Sequence, residues 1–273
     1  MACSGNYNSF IAPSSDFTIE FWLRWDGTVG SGAFVLMDNR ANTQNNGGWS
    51  VYSGGTYIGF DYSDGTTWAA RLVATTALST TAFQHYAIVH TGNTVILYVD
   101  GTQEDIETGV PMRNNNGIYN YLYIGGGYNN GGNHSNDHWC DCYLDEVRIS
   151  NIARYTGASI TVPTSAFTDD ENTQLLMHMD GSNGGTTFTS SATRPGRHDL
   201  TPAGDLKMTR AKTKVSNSSI YFDGTGDYLS VGPSAAGPCS QDFIWGTSDW
   251  TCLLYTSPSP RDATLSGMAW SAC

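Results

Sequence analysis

The chain has 273 residues, with 31 glycines, 15 tyrosines and 8 tryptophans, and a formal net charge of −12 at pH 7. The length is sufficient for one large or two smaller domains with sizeable cores. The acidic balance disfavours nucleic acid and anionic membrane surfaces as partners, because both need clustered Lys and Arg. No apolar run is long enough to insert into a bilayer, and the first five residues lack the features of a signal peptide.

Short runs of β-branched and aromatic residues follow one another along the first 150 residues. Alternation in residues 16–27 predicts a half-buried strand that ends in the Asp26-Gly27 turn. Residues 83–101 predict a hairpin around Thr91-Gly92-Asn93, central to its sheet because neither face is purely polar. We expect further strands at residues 33–37, 49–52, 56–62, 68–72, 102–107, 119–124 and 139–150. This pattern predicts an all-β, antiparallel β-sandwich of two sheets.

Two long loops rich in Asn and Gly, at residues 38–48 and 125–137, interrupt these strands. Such loops are where β-sandwiches place binding sites, and sugar binding needs aromatic platforms beside amides and carboxylates. The candidate ligand-binding residues are Asp38, Asn39 and Trp49 around the first loop, and Tyr128, Asn129, His134, His138 and Trp139 around the second. The alternative is that both loops are solvated turns.

Five motifs occur in a fixed order along the chain: Phe17-Thr-Ile-Glu-Phe-Trp22, Phe83-Gln-His-Tyr-Ala87, Leu97-Tyr-Val-Asp-Gly101, Leu122-Tyr-Ile-Gly-Gly126 and Tyr143-Leu-Asp-Glu-Val-Arg-Ile-Ser150. Together they resemble the laminin-G-like domains of the concanavalin A-like lectin/glucanase superfamily. The resemblance is greatest to the bacterial and phage branch, where Ala153-Arg154-Tyr155 follows the last strand. It implies a jelly roll of two antiparallel sheets.

The resemblance also implies a function. We expect a non-catalytic recognition or adhesion module, carbohydrate-binding, that belongs to a larger surface or phage tail protein with other domains. Its partner would be a glycan or a cell-surface receptor, and its place would be extracellular or on a virion surface. The main alternative is a structural spacer that binds no small ligand, since a fold does not determine a function.

Residues 103–107 resemble the Glu-x-Asp-x-Glu strand that glucanases of this superfamily use for catalysis. Gln103 stands at the position of the nucleophile and cannot attack, so a glycoside hydrolase is a remote alternative. Alternation would place Glu104 on the opposite face from Asp105, and we expect a solvated strand. No catalytic residue is predicted.

Two patterns suggest metal ligands. His134, His138, Cys140 and Cys142 have cysteines too close together for a usual zinc site, and we expect the two cysteines to be packed strand residues. Asp145 with Arg148 suggests a structural ion pair at a strand end. The resemblance adds calcium at the sandwich rim as the candidate cofactor. Its candidate ligands are Asp145, Asp223 and Asp227, which offer hard oxygen atoms.

The later part of the chain resembles the start of another copy. Residues 1–170 are interpreted as one laminin-G-like sandwich that lacks its first strands, and residues 171–251 as the opening strands of a second copy. Alternatively, those later strands fold back and complete the first sandwich, because an unpaired sheet edge is costly. Residues 252–273 resemble a translated sequencing adapter, and we expect no domain there.

Overall fold

The computed structural model describes residues 16–27, 34–39, 48–63, 68–109, 122–126, 139–192, 198–215 and 217–233. Among these residues, no helix has the length and apolar character needed to cross a membrane. In chain order the strands are β1 (Phe17–Trp25), β2 (Phe34–Asp38), β3 (Trp49–Ser53), β4 (Ile58–Ser63), β5 (Trp68–Val73), β6 (Gln84–Thr91), β7 (Thr94–Val99), β8 (Thr102–Thr108), β9 (Leu122–Ile124), β10 (Asp141–Ser150), β11 (Thr173–Met177), β12 (His198–Ala203), β13 (Lys207–Thr209), β14 (Ser219–Asp223) and β15 (Tyr228–Pro233).

The strands form two antiparallel sheets that pack face to face. The first sheet has eight strands in the order β13-β14-β10-β1-β6-β7-β8, with β11 also paired to β10. The second sheet has seven strands in the order β12-β15-β9-β2-β3-β4-β5. The all-β sandwich of the concanavalin A-like jelly-roll type is therefore confirmed.

The alternation in β1 places its apolar residues in the core between the sheets. Phe17, Ile19 and Phe21 are fully buried there. The opposite face of β1 is also buried, since Glu20 is 0% exposed and Trp22 only 3%. The expectation of a half-buried strand is wrong because the segment after β10 covers this face, where Tyr155 donates a 2.7 Å hydrogen bond to Glu20.

The β6–β7 hairpin is buried on both faces, as its sequence predicts. Ile88 points into the core between the sheets. Val89 and Tyr98 belong to a second apolar cluster on the outer face of the first sheet, against which Ile160 packs. The Tyr98 hydroxyl donates to the Gly157 carbonyl at 2.7 Å, which ties the covering segment to the hairpin.

The strands after residue 171 are members of the same two sheets. β11 and β14 pair with β10 in the first sheet, and β15 pairs with β9 in the second. The described residues thus form one sandwich to which both halves of the chain contribute. The interpretation of the later half as a tandem copy stays a prediction.

Candidate functional site

A row of polar side chains crosses the outer face of the second sheet. Directly opposed residues of antiparallel strands point to the same side of a sheet. Leu122 and Ile124 of β9 lie in the core, so Tyr123 between them faces outward. Through the strand registers the same outward row contains, in order, Asp61, Ser50, Asp38, Tyr123 and Ser230. We call these five residues the polar row.

Three aromatic rings lie together at the polar row, and one of them is its own member Tyr123. Trp139 stacks on Tyr228, with ring centroids 5.7 Å apart and planes inclined by 12°. Tyr228 meets Tyr123 edge to face at 5.9 Å. Gly126 makes room for the indole, because a Cβ atom there would lie 2.4 Å from the Trp139 ring. We call Trp139, Tyr228 and Tyr123 the aromatic trio.

Four of the eight predicted ligand-binding residues lie in the described part of the chain. Asp38 lies in the polar row and Trp139 in the aromatic trio, although Asp38 is only 1% exposed. The Asn39 backbone amide donates to the Trp49 carbonyl at 3.0 Å, so this residue continues the pairing of β2 with β3. Trp49 itself points into the core and stacks on Phe60, because alternation in β3 turns it away from Ser50. Trp49 is therefore not a surface residue, which corrects that expectation.

The other four predicted residues lie outside the described residues. They are Tyr128, Asn129, His134 and His138. Tyr123 and Tyr228 were not predicted as site residues. The signal that could have found them is alternation in their strands, which places both on the face opposite the core residues Ile124 and Leu229.

Two of the predicted calcium ligands meet a third aspartate in the described structure. Oxygen atoms of Asp205, Asp223 and Asp227 all lie within 4.8 Å of one another. Asp227 is 2% exposed, and its carboxylate accepts hydrogen bonds from the Asp205 amide at 3.0 Å and the Asp223 amide at 3.3 Å. Burial raises the pKa of Asp227 to about 6. These carboxylates have the oxygen chemistry that calcium prefers, and Asp205 carried no signal because it stands between strands in a separate turn.

Asp145 is not a member of this acidic group. It is fully buried, and one oxygen accepts the amides of Lys214 at 2.8 Å and Val215 at 3.2 Å. Burial raises its pKa to about 7. The predicted pair with Arg148 is wrong, because Arg148 lies directly opposite Glu20 in the β1–β10 register and binds it at 2.7 Å.

A sequence profile of the laminin-G-like type, described as concanavalin A-like lectin/glucanases superfamily, matches residues 4–161, more than half of the 273-residue chain. The chain belongs to this superfamily. A comparison with curated protein sequences finds no match.

Three solved structures are similar to the chain. A candidate carbohydrate-binding protein from Bacteroides ovatus ATCC 8483 is 14% identical, with a TM-score of 0.47, over 82% of this chain and 55% of that one. The heptameric SAP-like pentraxin from Limulus polyphemus is 13% identical, with a TM-score of 0.41, over 83% and 85%. Domains LG4-5 of the mouse laminin alpha1 chain are 12% identical, with a TM-score of 0.41, over 80% and 75%. The chain spans little more than half of the Bacteroides protein.

Strand β8, which contains the glucanase-like residues 103–107, connects the two sheets. A register shift in β8 follows Gln103, so simple alternation fails there. Glu104 accepts hydrogen bonds from both the backbone and the hydroxyl groups of Thr75 and Thr76. Asp105 accepts the Val73 amide at 2.9 Å. These two carboxylates hold the edge strand of the first sheet to the end of β5, which replaces the expectation of a merely solvated strand.

The direction of the pKa shift of Glu104 agrees with its hydrogen bonds. Burial alone would raise the pKa of Glu104, but the hydrogen bonds from Thr75 and Thr76 hold it below its usual value. Glu104 is therefore a stable anion and an acceptor, which is unlike a proton-donating catalytic acid.

Cys140 and Cys142 are free and buried. Both side chains belong to the core between the sheets, as expected for packed strand residues. The Cys140 thiol donates to the Val35 carbonyl at 3.1 Å, and burial raises the pKa of the Cys142 thiol well above its usual value. A zinc ion binds thiolates, so this environment opposes zinc binding by the pair.

Proposed function

We propose that this chain is a non-catalytic recognition module that binds a glycan through the outer face of its second sheet. The observation that carries the proposal is the contact between the aromatic trio and the polar row. Sugar rings present apolar C–H faces and polar hydroxyl groups, so a site for them combines aromatic rings with carboxylates and hydroxyls. Trp139, Tyr228 and Tyr123 supply the rings, and the partly exposed residues Asp61 and Ser230 of the polar row supply the polar groups.

Hydrolysis is the less favoured chemistry because the acidic strand is already committed. Glycoside hydrolysis needs two carboxyl groups that flank the scissile bond. Glu104 and Asp105 instead accept hydrogen bonds from residues 73–76, and Gln103 cannot act as a nucleophile. We therefore place this chain with the binding members of its superfamily.

The finer points of the proposal concern the setting and the cofactor. The module would belong to a larger extracellular or virion-surface protein, such as a phage tail protein, and its partner would be a cell-surface glycan or glycosylated receptor. Calcium, if bound, would be held by Asp205, Asp223 and Asp227, whose oxygen atoms lie close together. The ion would supply charge neutralisation at that turn.

A glycan array tests the proposal. The full chain, with a β-type far-ultraviolet spectrum as the folding check, is applied with calcium and with a chelator. Tyr228→Ala removes the central ring of the aromatic trio, and we expect at least a tenfold weaker response, about 1.4 kcal/mol of binding free energy. Tyr57→Ala is the matched control, because Tyr57 is 40% exposed and lies outside the trio.

Each outcome has a distinct meaning. Loss of binding in Tyr228→Ala alone supports the proposed face. Equal loss or no loss in both variants excludes that face as the binding site. No response from the folded wild-type chain would favour the structural spacer. A response abolished by the chelator would support calcium, and Asp223→Asn should then have the same effect.

A further inference from the structure

A cavity of about 210 Å³ opens beside the end of β11, away from the aromatic trio. Drug-sized ligands occupy pockets of about 300–1,000 Å³, so this cavity suits a smaller molecule such as a single ring. Its lining combines thioether, aromatic, imidazole, carboxylate and hydroxyl groups, contributed by Met177, His178, Met179, Asp180, Phe188, Thr189, Ser191 and Met208.

Two strained backbone positions define this region. Only three non-glycine residues in the described part of the chain have a left-handed φ, and two of them are Glu146 at 49° and Met179 at 57°. The third, Asp100, lies in the Asp-Gly turn after β7, where such a conformation is ordinary. Left-handed backbone is unfavourable for residues with a side chain and tends to occur at ligand-binding and active sites. The cavity is therefore a candidate ligand-binding site.

The side chain of the left-handed residue Glu146 orients the imidazole of His178. Glu146 lies where the β1–β10 register shifts, and bulges of this kind redirect a side chain. Its carboxylate is fully buried, accepts the Phe167 amide at 2.8 Å, and lies 2.9 and 3.0 Å from His178 Nδ1. Burial raises the pKa of Glu146, and Nδ1 is held by this carboxyl group whichever partner carries the shared proton. Nε2 is then the ring nitrogen that a ligand in the cavity can reach, and the imidazole is fixed before binding.

We propose that this cavity binds one pyranose ring of a neutral or amino sugar, as a second subsite of the glycan-binding module. The inference rests on the proposed function in assuming a glycan ligand. Met177, Phe188 and Met208 offer an apolar wall for the C–H face of the ring. His178, Asp180 and Thr189 offer acceptors and donors for its hydroxyl groups.

Charge determines which sugars are excluded. Asp180 is exposed at the cavity, and within the described residues its carboxylate accepts the Asn217 amide at 3.3 Å. The chain as a whole carries a net charge of −12. A sialic or uronic acid would bring its carboxylate towards Asp180, and like charges in contact disfavour binding.

Saturation-transfer NMR on the full chain tests the subsite. The probes are methyl galactoside, methyl glucoside, N-acetylglucosamine and N-acetylneuraminic acid, each at millimolar concentration. We expect a signal from at least one of the first three, and at least about tenfold weaker binding of the anionic sugar. In a Tyr228→Ala background, which removes the central ring of the aromatic trio, Thr189→Trp should fill the cavity and abolish the signal, whereas Thr187→Trp, two residues away and outside the lining, should keep it.

Asp180→Asn provides a second test that does not change the shape of the cavity. It should strengthen binding of N-acetylneuraminic acid by at least about threefold, whereas binding of the neutral sugars should not increase. The subsite is refuted if no probe binds to the folded chain, or if adding Thr189→Trp to Tyr228→Ala leaves the signal unchanged. Tyr228→Ala separates this result from the proposed function, because array binding lost there but unaffected by Thr189→Trp retains the module and removes the subsite.

Discussion

The buried ion pair between Glu20 and Arg148 gives the sharpest test of how the first sheet is stabilised. Arg148 donates to Glu20 Oε1 from Nε at 2.8 Å and from Nη2 at 2.7 Å. Tyr155 donates to the other oxygen at 2.7 Å. Glu20 is 0% exposed and Arg148 only 7%. We predict that Arg148→Met, which keeps the aliphatic stem and removes the charge, strongly destabilises the fold.

The expected magnitude follows from the burial of the carboxylate. Removing one partner of a buried pair leaves an uncompensated charge and costs about 3–5 kcal/mol. A domain has a total stability of about 5–15 kcal/mol, so this loss should be large. Replacing the guanidinium also removes its position 4.6 Å over the Phe167 ring.

The pH dependence supplies an independent check. Burial alone would raise the pKa of Glu20, but His85, Arg148 and Tyr155 together hold it below its usual value. In the wild type, the stabilisation is present above the unfolded pKa of about 4.3 and is lost as pH falls through the lower folded value. Without Arg148 burial dominates, so the deficit of Arg148→Met should shrink between pH 7 and pH 5 as Glu20 becomes neutral.

Urea unfolding followed by tryptophan fluorescence measures these differences, with unchanged m values as the condition for comparison. Arg24→Met is the matched control, since Arg24 donates an exposed hydrogen bond to the Thr80 carbonyl and its loss should cost less than about 1 kcal/mol. Adding Glu20→Gln to Arg148→Met should restore part of the stability. A loss below about 1 kcal/mol for Arg148→Met, unchanged between pH 5 and pH 7, would refute the reasoning.

Three further predictions concern other parts of the sandwich. Asp145→Asn should stabilise the protein by about 1–4 kcal/mol at pH 8, because a pKa raised to about 7 makes wild-type stability fall between about pH 4 and pH 7. Unfolding at pH 5 and pH 8 measures this slope. Glu104→Ala should cost about 1–3 kcal/mol in chemical denaturation by freeing the end of β5, whereas exposed Glu107→Ala should be near neutral. Gly126→Ala should cost about 1–3 kcal/mol and perturb Trp139 fluorescence, because its Cβ meets the indole.

The strands that the sequence predicts best are those whose period-2 pattern is decided locally. The predicted core face of β1 is the observed one, and the β6–β7 hairpin is buried on both faces as predicted. β12 and β13 were missed for a physical reason. β12 is an edge strand that contains Pro202, and β13 has only three residues, so neither needs a strong apolar pattern.

The candidate site was less predictable because its parts meet through distant pairings. Asp38 and Trp139 were found from loop composition, but Tyr228 reaches Trp139 and Tyr123 only because β15 pairs with β9. The partner of Arg148 could not be predicted, since it lies 128 residues away on a neighbouring strand. Burial of Glu20 depends on a covering segment that has no regular periodicity of its own.

The two outer faces of the sandwich differ, and this difference favours recognition over a spacer role. The outer face of the first sheet is filled by apolar clusters with residues such as Ile160 and Phe167, so it is part of the protein interior. The outer face of the second sheet instead carries aligned carboxylates, hydroxyls and stacked rings. The partly exposed residues Tyr123, Tyr228 and Ser230 offer a ligand both rings and a hydroxyl group, which a spacer would not need.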